Sequence, residues 1–398
     1  MSINETLNPP IEINDEAIRV LLIDDQLIVG KAVEAMIKSE GGIEFHFCQD
    51  PSAALATALS VKPTVILQDL VMPDVEGLTL VKYMRANAKL KDVPIVVLSS
   101  KEEAETKAEA FSVGANDYIV KLPDKLELLA RIKYHSKGYI NQLQRDKMYN
   151  ALLASRQELA SQLKSAAEYV VSLLPAKITE GPIVTDWKYV PSADLGGDSF
   201  GYHFIDDDHF AMYLLDVCDH GVGPALLSVS ALNVLRSQSL AQTDFRKPDQ
   251  VMIGLNSAFQ MEQQNNLYFT IWYGVFRLSD RTLFYASAGH PPALLYNDTS
   301  NGDEIIQVNL IIGHLPDVPY KSGSIVLPEK SDLYVFSDGS YEIAIDEKSI
   351  WTLQGMKEYL IEKRKEGSNE IEALYEHILK MNNRDILDDD FSMMKIRL

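Results

Sequence analysis

Residues 18–121 alternate between short apolar runs and segments whose apolar residues recur at helical spacing. Five apolar runs predict strands: Ile18–Asp25, Ile43–Cys48, Thr64–Asp69, Ile95–Ser100 and Asp117–Lys121. The segments between them predict helices: Leu27–Ser39, Ala53–Leu59, Leu78–Ala86 and Glu102–Val113. Strands and helices that alternate at this pitch predict a parallel sheet covered on both faces, which is a doubly wound α/β fold.

The next segment, Leu126–Leu174, predicts one helix far longer than average, because it holds a single Gly and no Pro. Its second half has a set of positions in alternating steps of three and four: Tyr149, Leu152, Arg156, Leu159, Leu163, Ala166, Val170 and Leu173. This set, the heptad seam, is typical of a helix that pairs along a coiled coil. Arg156 weakens the seam, and only about three heptads are present. The alternative is one amphipathic helix that lies on its own domain.

Beyond Pro175 the pattern is richer in strands. Strands are predicted at Phe210–Asp216, Leu267–Leu278, Arg281–Ala288, Ala293–Tyr296, Gly323–Leu327, Asp332–Ser337 and Phe391–Arg397. Helices are predicted at Ala225–Leu240, Asp249–Gln263, Leu353–Lys363 and Glu370–Met381. Many strands with helices in pairs between them predict an α+β sandwich. The polar segment Asn297–Glu304 predicts a hairpin-like loop, and Ile205–His209 predicts a solvated turn, although its acids could imitate a metal site.

Length and composition narrow the possible functions. At 398 residues the chain exceeds one typical domain. A formal net charge of −20 argues against a nucleic-acid partner, because DNA-binding domains are basic. The first residues lack a signal-peptide pattern, and no run reaches the roughly 18 apolar residues that span a bilayer. Cys48 and Cys218 lie in apolar runs, as buried thiols in a reducing compartment do. We therefore expect a soluble cytoplasmic protein without a membrane partner.

Polar residues stand at four strand ends of the first half: Asp24 and Asp25, Asp69, Ser99 and Lys121. The carboxyl ends of parallel strands meet at one edge of the sheet. Acids that converge there repel each other unless a cation joins them, and oxygen ligands select a hard ion such as Mg2+. A lysine and a hydroxyl at the same edge suit a doubly charged group added to one carboxylate. The alternative is that each polar residue merely ends a strand in solvent.

This segment resembles the receiver domain of two-component response regulators, which has a flavodoxin-like doubly wound fold, and the match is strong in Leu67–Leu78 and Val97–Ser136. The resemblance implies that Asp69 accepts the phosphoryl group. It implies a Mg2+ site at Asp24, Asp25 and Asp69, and switch positions at Ser99, Tyr118 and Lys121. One departure is Leu122, which separates Lys121 from Pro123 and leaves the local loop geometry open. No GG(D/E)EF-type cyclase motif follows.

A second set of acids stands beside strand ends or glycines in the second half: Asp198, Asp216, Asp338 and Asp389. Four carboxylates without a cysteine pair indicate hard cations, Mg2+ or Mn2+, rather than structural zinc. Two such cations about 4 Å apart can share a water molecule, lower its pKa and direct it at a phosphorus atom. A single Asp-Gly turn would carry little weight, because such turns are common in β-rich proteins.

This set resembles the SpoIIE-like, PP2C-type metal-dependent Ser/Thr phosphatases. The family motifs appear in order at Gly196–Asp198, Asp216–Ala225, Ala288–Pro292, Ser337–Glu342 and Asp389–Ser392. The resemblance implies that two Mn2+ or Mg2+ ions are held by Asp198, Asp216, Asp338 and Asp389, with the backbone carbonyl of Val217 as a further ligand. It places His220, Gly289 and His290 near the site. The alternative for each histidine is that it only braces its turn.

Two positions depart from the phosphatase family. Asp219 stands where the family usually has Gly, and Asp tolerates a left-handed backbone less freely than Gly. Its charge could also recruit another cation or disturb the turn. Gly201 stands where an acid often follows the GGD motif. Neither departure removes a predicted ligand, but activity could be lowered or could depend on activation.

Together the resemblances predict a response regulator whose phosphorylation at Asp69 controls a phosphatase. The predicted segments are a polar lead-in at 1–17, a receiver at 18–136, a helical coiled-coil linker at 137–174 and a PP2C-type β-sandwich flanked by helices at 175–398. Family analogy implies a sensor histidine kinase and a phosphorylated STAS-type anti-sigma-factor antagonist as partners, and a homodimer through the linker. Two alternatives stay open: a weakly active or inactive adaptor that binds a sigma factor or anti-sigma protein, and a receiver that serves only as a phosphate sink.

Overall fold

The computed structural model describes residues 17–73, 75–193, 195–298, 300–345, 349–367, 369–382 and 387–398. The predicted lead-in at 1–17 lies outside these residues, except for Ala17. The chain divides into two compact units, Met1–Arg156 and Gln157–Leu398, and the division falls inside the predicted linker. Among the described helices, none combines the length and the apolar character that crossing a bilayer would require.

The first unit is built on a parallel sheet of five strands: β1 Ile18–Ile23, β2 Ile43–Cys48, β3 Val65–Asp69, β4 Ile95–Ser99 and β5 Asp117–Val120. Its strand order is β2-β1-β3-β4-β5, the flavodoxin-like order. The helices are α1 Leu27–Lys38, α2 Ala54–Val61, α3 Gly77–Ala86, α4 Ala104–Ser112 and α5 Lys125–Ser172. Every residue of β3 and β4 is buried, because helices cover both faces of the sheet. The predicted doubly wound fold is confirmed.

Helix α5 is continuous over 48 residues, as its sequence predicts. Its buried residues all lie in its first third: Leu128, Leu129, Ile132, Ser136 and Ile140. The hydroxyl groups of Ser136 and Thr64 form a buried hydrogen bond of 3.0 Å, which fixes the helix to the base of the sheet. Farther along, the seam residues Leu152 and Leu159 are 66% and 57% exposed. This exposure fits a seam available for pairing better than a helix that lies on its own domain.

The second unit has four layers, with two sheets between two pairs of helices. The first sheet has the order β13-β10-β9-β8-β7, with β14 also paired to β10: β7 Ser199–Phe204, β8 His209–Val217, β9 Phe269–Arg277, β10 Thr282–Ala288, β13 Val308–Asn309 and β14 Gly323–Val326. The second has the order β12-β11-β15-β18-β6: β6 Val184–Val190, β11 Ala293–Tyr296, β12 Asn301–Ile305, β15 Asp332–Phe336 and β18 Phe391–Arg397. The short strands β16 Ile343–Ala344 and β17 Ile350–Trp351 pair with each other.

One apolar core lies between the two sheets, and two more lie between each sheet and its helices. Helices α6 Val222–Arg236 and α7 Pro248–Ala258 cover the first sheet, and α8 Leu353–Glu366 and α9 Glu370–Asn382 cover the second. The predicted α+β sandwich is confirmed. Helix α7 ends before the predicted Gln263, because a separate 3-10 turn forms at Met261–Gln263.

Both predicted polar turns join neighbouring antiparallel strands. In the turn between β7 and β8, the carboxylate of Asp206 accepts hydrogen bonds from the backbone N–H groups of Asp208 and His209. The same oxygen, Oδ1, also lies 2.8 Å from Nδ1 of His209, so it is engaged within the turn. Most of the second half of the predicted loop, Asn301–Glu304, belongs to β12, which pairs with β11 in an antiparallel hairpin. Neither turn therefore calls for a chemical role.

Candidate functional sites

The first candidate site lies at the carboxyl edge of the parallel sheet. Asp24 and Asp25 follow β1, and Asp69 ends β3, the neighbouring strand. One carboxylate oxygen from each of the three lies within 4.8 Å of the other two. Asp24 and Asp69 are buried, and a buried oxygen of Asp25, Oδ1, has no hydrogen-bond partner. Three converging oxygen donors, one of them unpartnered, fit a hard cation such as Mg2+.

Lys121, one residue beyond β5, reaches into the same cluster. Its Nζ lies 2.8 Å from Oδ2 of Asp24 and 2.7 Å from Oδ2 of Asp69. Burial raises the pKa of Asp69, and the ion pair with Lys121 offsets part of that effect. Burial opposes the charge of Lys121, but the two carboxylates outweigh burial, so that its pKa is raised. The ammonium group therefore stays charged and compensates one of the three negative charges.

The two remaining predicted positions of this edge are also in place. Ser99, the last residue of β4, is fully buried, and its Oγ accepts a hydrogen bond of 3.2 Å from the backbone N–H of Lys101. Tyr118 in β5 is 9% exposed, and its hydroxyl donates a 2.7 Å hydrogen bond to the backbone carbonyl of Lys101. One loop residue thus contacts both positions. The peptide bond between Lys121 and Leu122 is cis.

The second candidate site lies in the second unit, at the ends of four strands. Asp198 directly precedes β7, and Asp216 lies near the end of its neighbour β8. Asp338 follows β15, and Asp389 precedes β18, which is the neighbour of β15 in the other sheet. Because the two sheets pack face to face, these strand ends bring the four acids to one end of the sandwich. The predicted ligands therefore come from both sheets, but no three of these four described carboxylates bring oxygen atoms within 4.8 Å of one another, as the three receiver acids do.

The pKa values of the four acids report their proximity. Burial raises the pKa of Asp198 well above its ordinary range, and Asp216 and then Asp390 add to the effect. Burial, followed by Asp338, Asp389 and Asp390, raises the pKa of Asp216 to about 8. Burial and then Glu342 raise the pKa of Asp338. The acids thus repel one another in a partly desolvated space, as acids in functional sites often do.

Asp389 and His220 stand at the exposed mouth of this cluster. Burial and the charges of Asp338 and Asp390 raise the pKa of Asp389 to about 6, whereas His220 acts in the opposite direction. His220 therefore lies close enough to Asp389 to interact with its charge.

Among the described residues, no lysine or arginine pairs with the acids of this site. No ion pair joins Asp198, Asp216, Asp338 or Asp389 to a lysine or arginine within the described parts of the chain. The buried Oδ2 of Asp198 has no hydrogen-bond partner either. Uncompensated carboxylates and an unpartnered oxygen are the arrangement that divalent cations would complete. The donor set consists of oxygen atoms alone, which fits Mg2+ or Mn2+.

Close backbone approach explains Gly197, the second glycine of the site. A Cβ atom on Gly197 would lie 2.6 Å from the carbonyl oxygen of Val217 and 3.0 Å from that of Asp219. Only glycine allows the turn before β7 to approach these carbonyl groups. The Val217 carbonyl therefore borders the acid cluster, where the resemblance predicts a ligand.

The two departures from the family pattern have structural counterparts. Asp219 has φ = 72°, so it adopts the left-handed conformation that its position demands of the usual glycine. Gly201 packs against the ring of Tyr213, and a Cβ atom there would lie 2.6 Å from the Tyr213 hydroxyl oxygen. An acid at position 201 would require Tyr213 to move. The tyrosine therefore accounts for the missing acid.

Gly289 and His290 form a turn after β10. Gly289 has φ = 68°, and the Ser287 hydroxyl donates a 2.7 Å hydrogen bond to the carbonyl oxygen of His290. The imidazole is 3% exposed, and neither ring nitrogen has a hydrogen-bond partner. Burial alone lowers its pKa to about 3, without a contribution from any described carboxylate. These observations favour the alternative that His290 braces its turn.

One residue of this site was not predicted. Asp390 is 4% exposed, and its carboxylate accepts hydrogen bonds from Ser192 and from the backbone N–H of Asp198. The available signal was its place beside Asp389 in a run of three acids. Spacing alone does not show which acid of such a run points into the site.

Family models match both halves of the chain. The model for the response regulator receiver domain matches residues 20–133, and that for SpoIIE, stage II sporulation protein E, matches residues 206–398. The receiver match contains Asp24, Asp25, Asp69, Ser99, Tyr118 and Lys121. The SpoIIE match contains Asp216, Asp338 and Asp389, and it begins after Asp198.

Curated relatives each match part of the chain. The chain is 29% identical over 182 residues to the phosphoserine phosphatase RsbP of Bacillus subtilis, a match that covers 45% of this chain and 44% of RsbP. It is 27% identical over 254 residues to the phosphoserine phosphatase RsbU of the same organism, covering 63% of this chain and 73% of RsbU. It is also 30% identical over 128 residues to PilG of Pseudomonas aeruginosa, covering 32% of this chain and 94% of PilG. The chain thus spans less than half the length of RsbP.

Among solved structures, the SiaA-PP2C domain of Pseudomonas aeruginosa matches with a TM-score of 0.53 and 18% sequence identity. The match covers 62% of this chain and 99% of that domain. At this identity the likeness shows the fold alone, which agrees with the four-layer sandwich described above. The chain therefore belongs to the response regulators, with a CheY-like receiver domain joined to a SpoIIE-like phosphatase domain of the PP2C type.

Proposed function

We propose that this chain is a response regulator whose phosphorylation at Asp69 controls a metal-dependent protein Ser/Thr phosphatase. The observation that carries the proposal is the convergence of Asp198, Asp216, Asp338 and Asp389 without a basic partner among the described residues. The names of RsbU and RsbP, both phosphoserine phosphatases, support the same reaction class.

Each group of the second site has an assigned task. The four acids hold two divalent cations, Mn2+ or Mg2+, and the Val217 carbonyl adds a backbone ligand. Bound cations of this kind activate water and neutralise the charge of a phosphate ester. His220, exposed beside Asp389, supports the incoming phosphate. Gly289 and His290 shape a turn at the edge of the same unit, and the His290 imidazole is buried without a hydrogen-bond partner among the described residues.

In the first site, Asp69 accepts the phosphoryl group, and Asp24 and Asp25 complete a Mg2+ site with it. Lys121 compensates charge before and after the transfer, because it contacts both Asp24 and Asp69. Ser99 and Tyr118 report the change through the loop at Lys101. The phosphoryl donor is a sensor histidine kinase, as the receiver family implies.

The substrate class follows from family analogy. We assign a phosphorylated STAS-type anti-sigma-factor antagonist as substrate, within a partner-switching pathway in the cytoplasm. A homodimer through the seam of α5 provides the link between the two sites.

The test is hydrolysis of an aryl phosphate ester by the full-length chain in the presence of Mn2+. We expect turnover by the wild type and loss of at least about 100-fold in Asp216→Ala, since removal of a metal-site ligand or its support costs 10- to 100-fold or more. Asp207→Ala, which removes an exposed acid of the β7–β8 turn, is the matched control and should retain wild-type turnover.

One observation favours a second candidate function. Asp219 adds a negative charge where the family has glycine, and this could leave the site weakly active. The chain would then act as a phosphorylation-controlled adaptor that binds a sigma factor or anti-sigma protein. Equal inertness of wild type and Asp216→Ala at saturating Mn2+ would exclude the enzyme and favour this adaptor.

A further inference from the structure

Asp390 is a buried acid that the chemistry proposed above does not use. It follows Asp389 and directly precedes β18. Its carboxylate points towards the turn that precedes β7. Oδ1 accepts hydrogen bonds from the backbone N–H of Ser192 at 2.7 Å and from the Ser192 hydroxyl at 2.9 Å. Oδ2 accepts a 3.2 Å hydrogen bond from the backbone N–H of Asp198.

The backbone of Asp390 joins a second segment of the site. Its carbonyl oxygen accepts a 3.1 Å hydrogen bond from the hydroxyl of Ser337, the residue before Asp338. A Cβ atom on Gly339 would overlap the same carbonyl oxygen, and one on Gly196 would overlap the Asp390 carboxylate. Asp390 therefore contacts the segments that carry Asp198 and Asp338, and it is bonded directly to Asp389.

The hydrogen bonds distinguish Asp390 from Asp198. Both of its carboxylate oxygens already accept N–H or O–H donors, whereas Oδ2 of Asp198 has no partner. A carboxylate occupied by backbone donors is suited to holding a turn in place. Residues that orient metal ligands in this way tune the site from outside it.

We propose that Asp390 is a positioning residue that holds Ser192 and Gly196–Asp198, so that the carboxylate of Asp198 faces the other acids. This inference rests on the proposed metal site. Asp390→Asn replaces one of the two acceptor oxygens with an NH2 group, so the backbone N–H of either Ser192 or Asp198 should lose its acceptor. Asp198 would then lose its fixed position, although its own side chain is unchanged.

The test uses the full-length chain with Asp24→Asn and Asp25→Asn, so that Mn2+ binding reports the second site alone. In this background we compare Asp390→Asn, Ser192→Ala, their combination, and Asp207→Asn as a control for loss of an acid. Free Mn2+ is measured by electron paramagnetic resonance. Hydrogen–deuterium exchange of the metal-free protein is measured on the peptide that covers residues 192–198.

We expect the dissociation constant for Mn2+ to rise about 10- to 100-fold in Asp390→Asn, with a smaller rise in Ser192→Ala. The combination should bind like Asp390→Asn alone, because Ser192 acts through the same carboxylate. Exchange at 192–198 should be faster in both single variants without metal. Asp207→Asn should match the parent chain in both measurements.

Unchanged Mn2+ affinity or unchanged exchange in a folded Asp390→Asn chain would overturn the inference. Complete loss of binding with normal exchange would instead make Asp390 a ligand, which also overturns it. Should Asp390→Asn fail to fold, Ser192→Ala decides alone, since it removes one hydroxyl from a half-buried position. If the parent chain binds no Mn2+, the proposed metal site is wrong, and the exchange data still decide whether Asp390 holds the turn.

Discussion

Asp219 shows how backbone conformation limits the residues that a position accepts. Its φ of 72° lies in the left-handed region, which Gly, Asn and Asp enter more readily than other residues. Gly221, two residues after Asp219, also has a positive φ, of 104°. The segment between Asp216 and α6 is therefore shaped by two unusual conformations in a row of three residues.

We predict that Asp219→Val lowers the free energy of unfolding by about 1–2 kcal/mol, because a β-branched residue is strained in the left-handed region. Asp219→Asn and Asp219→Gly are the matched controls and should stay within about 0.5 kcal/mol of the wild type, since both residues tolerate positive φ. Urea unfolding followed by tryptophan fluorescence is the measurement, because Trp187, Trp272 and Trp351 all lie in the second unit. Equal destabilisation by all three substitutions would contradict the backbone explanation.

His290 gives a prediction about acid stability. Its pKa is about 3 in the folded chain, against about 6.5 for an unperturbed histidine. Between these values the unfolded chain binds a proton that the folded chain does not. Above about pH 6.5, His290 is neutral in both states and its protonation does not affect the free energy of unfolding. As the pH drops from 6.5 towards 3, protonation of His290 in the unfolded chain lowers the free energy of unfolding.

His290→Phe should therefore lose less free energy of unfolding than the wild type between pH 6.5 and 4. The difference should reach at most about 1.4 kcal/mol per pH unit, the effect of one bound proton. At pH 7 the variant should be at least as stable as the wild type, because two buried nitrogens without partners are removed. Urea unfolding across this pH range measures both effects, with the exposed His314→Phe as control. An unaltered pH dependence in His290→Phe would show that another group controls acid unfolding.

At the scale of elements, the sequence predicted the five parallel strands and α5, because buried parallel strands leave continuous apolar runs and a long helix leaves a segment almost without Gly and Pro. Strands β6 and β7 were not predicted. Both lie at sheet edges, where only one neighbour is paired. β6 also carries Asp186 and Lys188 among its apolar residues, and β7 is interrupted by Gly201. Edge strands of this kind resemble polar loops in sequence.

Pairing through α5 can be tested at Arg156. We predict that Arg156→Leu shifts the chain towards the dimer by about tenfold in dissociation constant, because it completes an exposed apolar seam. Lys164→Leu removes the same charge from the same helix outside the seam and should leave the equilibrium unchanged. Sedimentation velocity over a range of concentrations is the measurement. Identical behaviour of the two variants would show that α5 is a spacer.

For the whole molecule, the two sites differ in how far the sequence could predict them. The receiver triad stands at adjacent strand ends, so strand order and spacing were enough to place it. The role of Asp390 depends on contacts with Ser192, which lies 198 positions away. The burial of His290 likewise depends on packing across the unit. Such contacts leave no local pattern in the sequence.

Coupling between the two sites requires two states that the receiver's phosphate biases differently. We predict that beryllofluoride, a mimic of the phosphoryl group on Asp69, changes the rate of aryl phosphate hydrolysis or the dimer equilibrium of the full-length chain. Asp69→Asn is the control and should show no response to beryllofluoride. A wild type that responds in neither measurement would leave the receiver as a phosphate sink.

The close packing of Gly196 and Gly339 around Asp390 has a consequence for how this domain can vary. A methyl group at 196 is excluded by the carboxylate at 390, and one at 339 is excluded by the carbonyl at 390. The first exclusion disappears if residue 390 loses its side chain, whereas the second remains whatever residue stands there. Substitution at 196 is thus conditional on a partner nearly two hundred positions away, whereas substitution at 339 has no such compensating partner. In evolution, a replacement of Gly196 therefore requires a change of residue 390 as well.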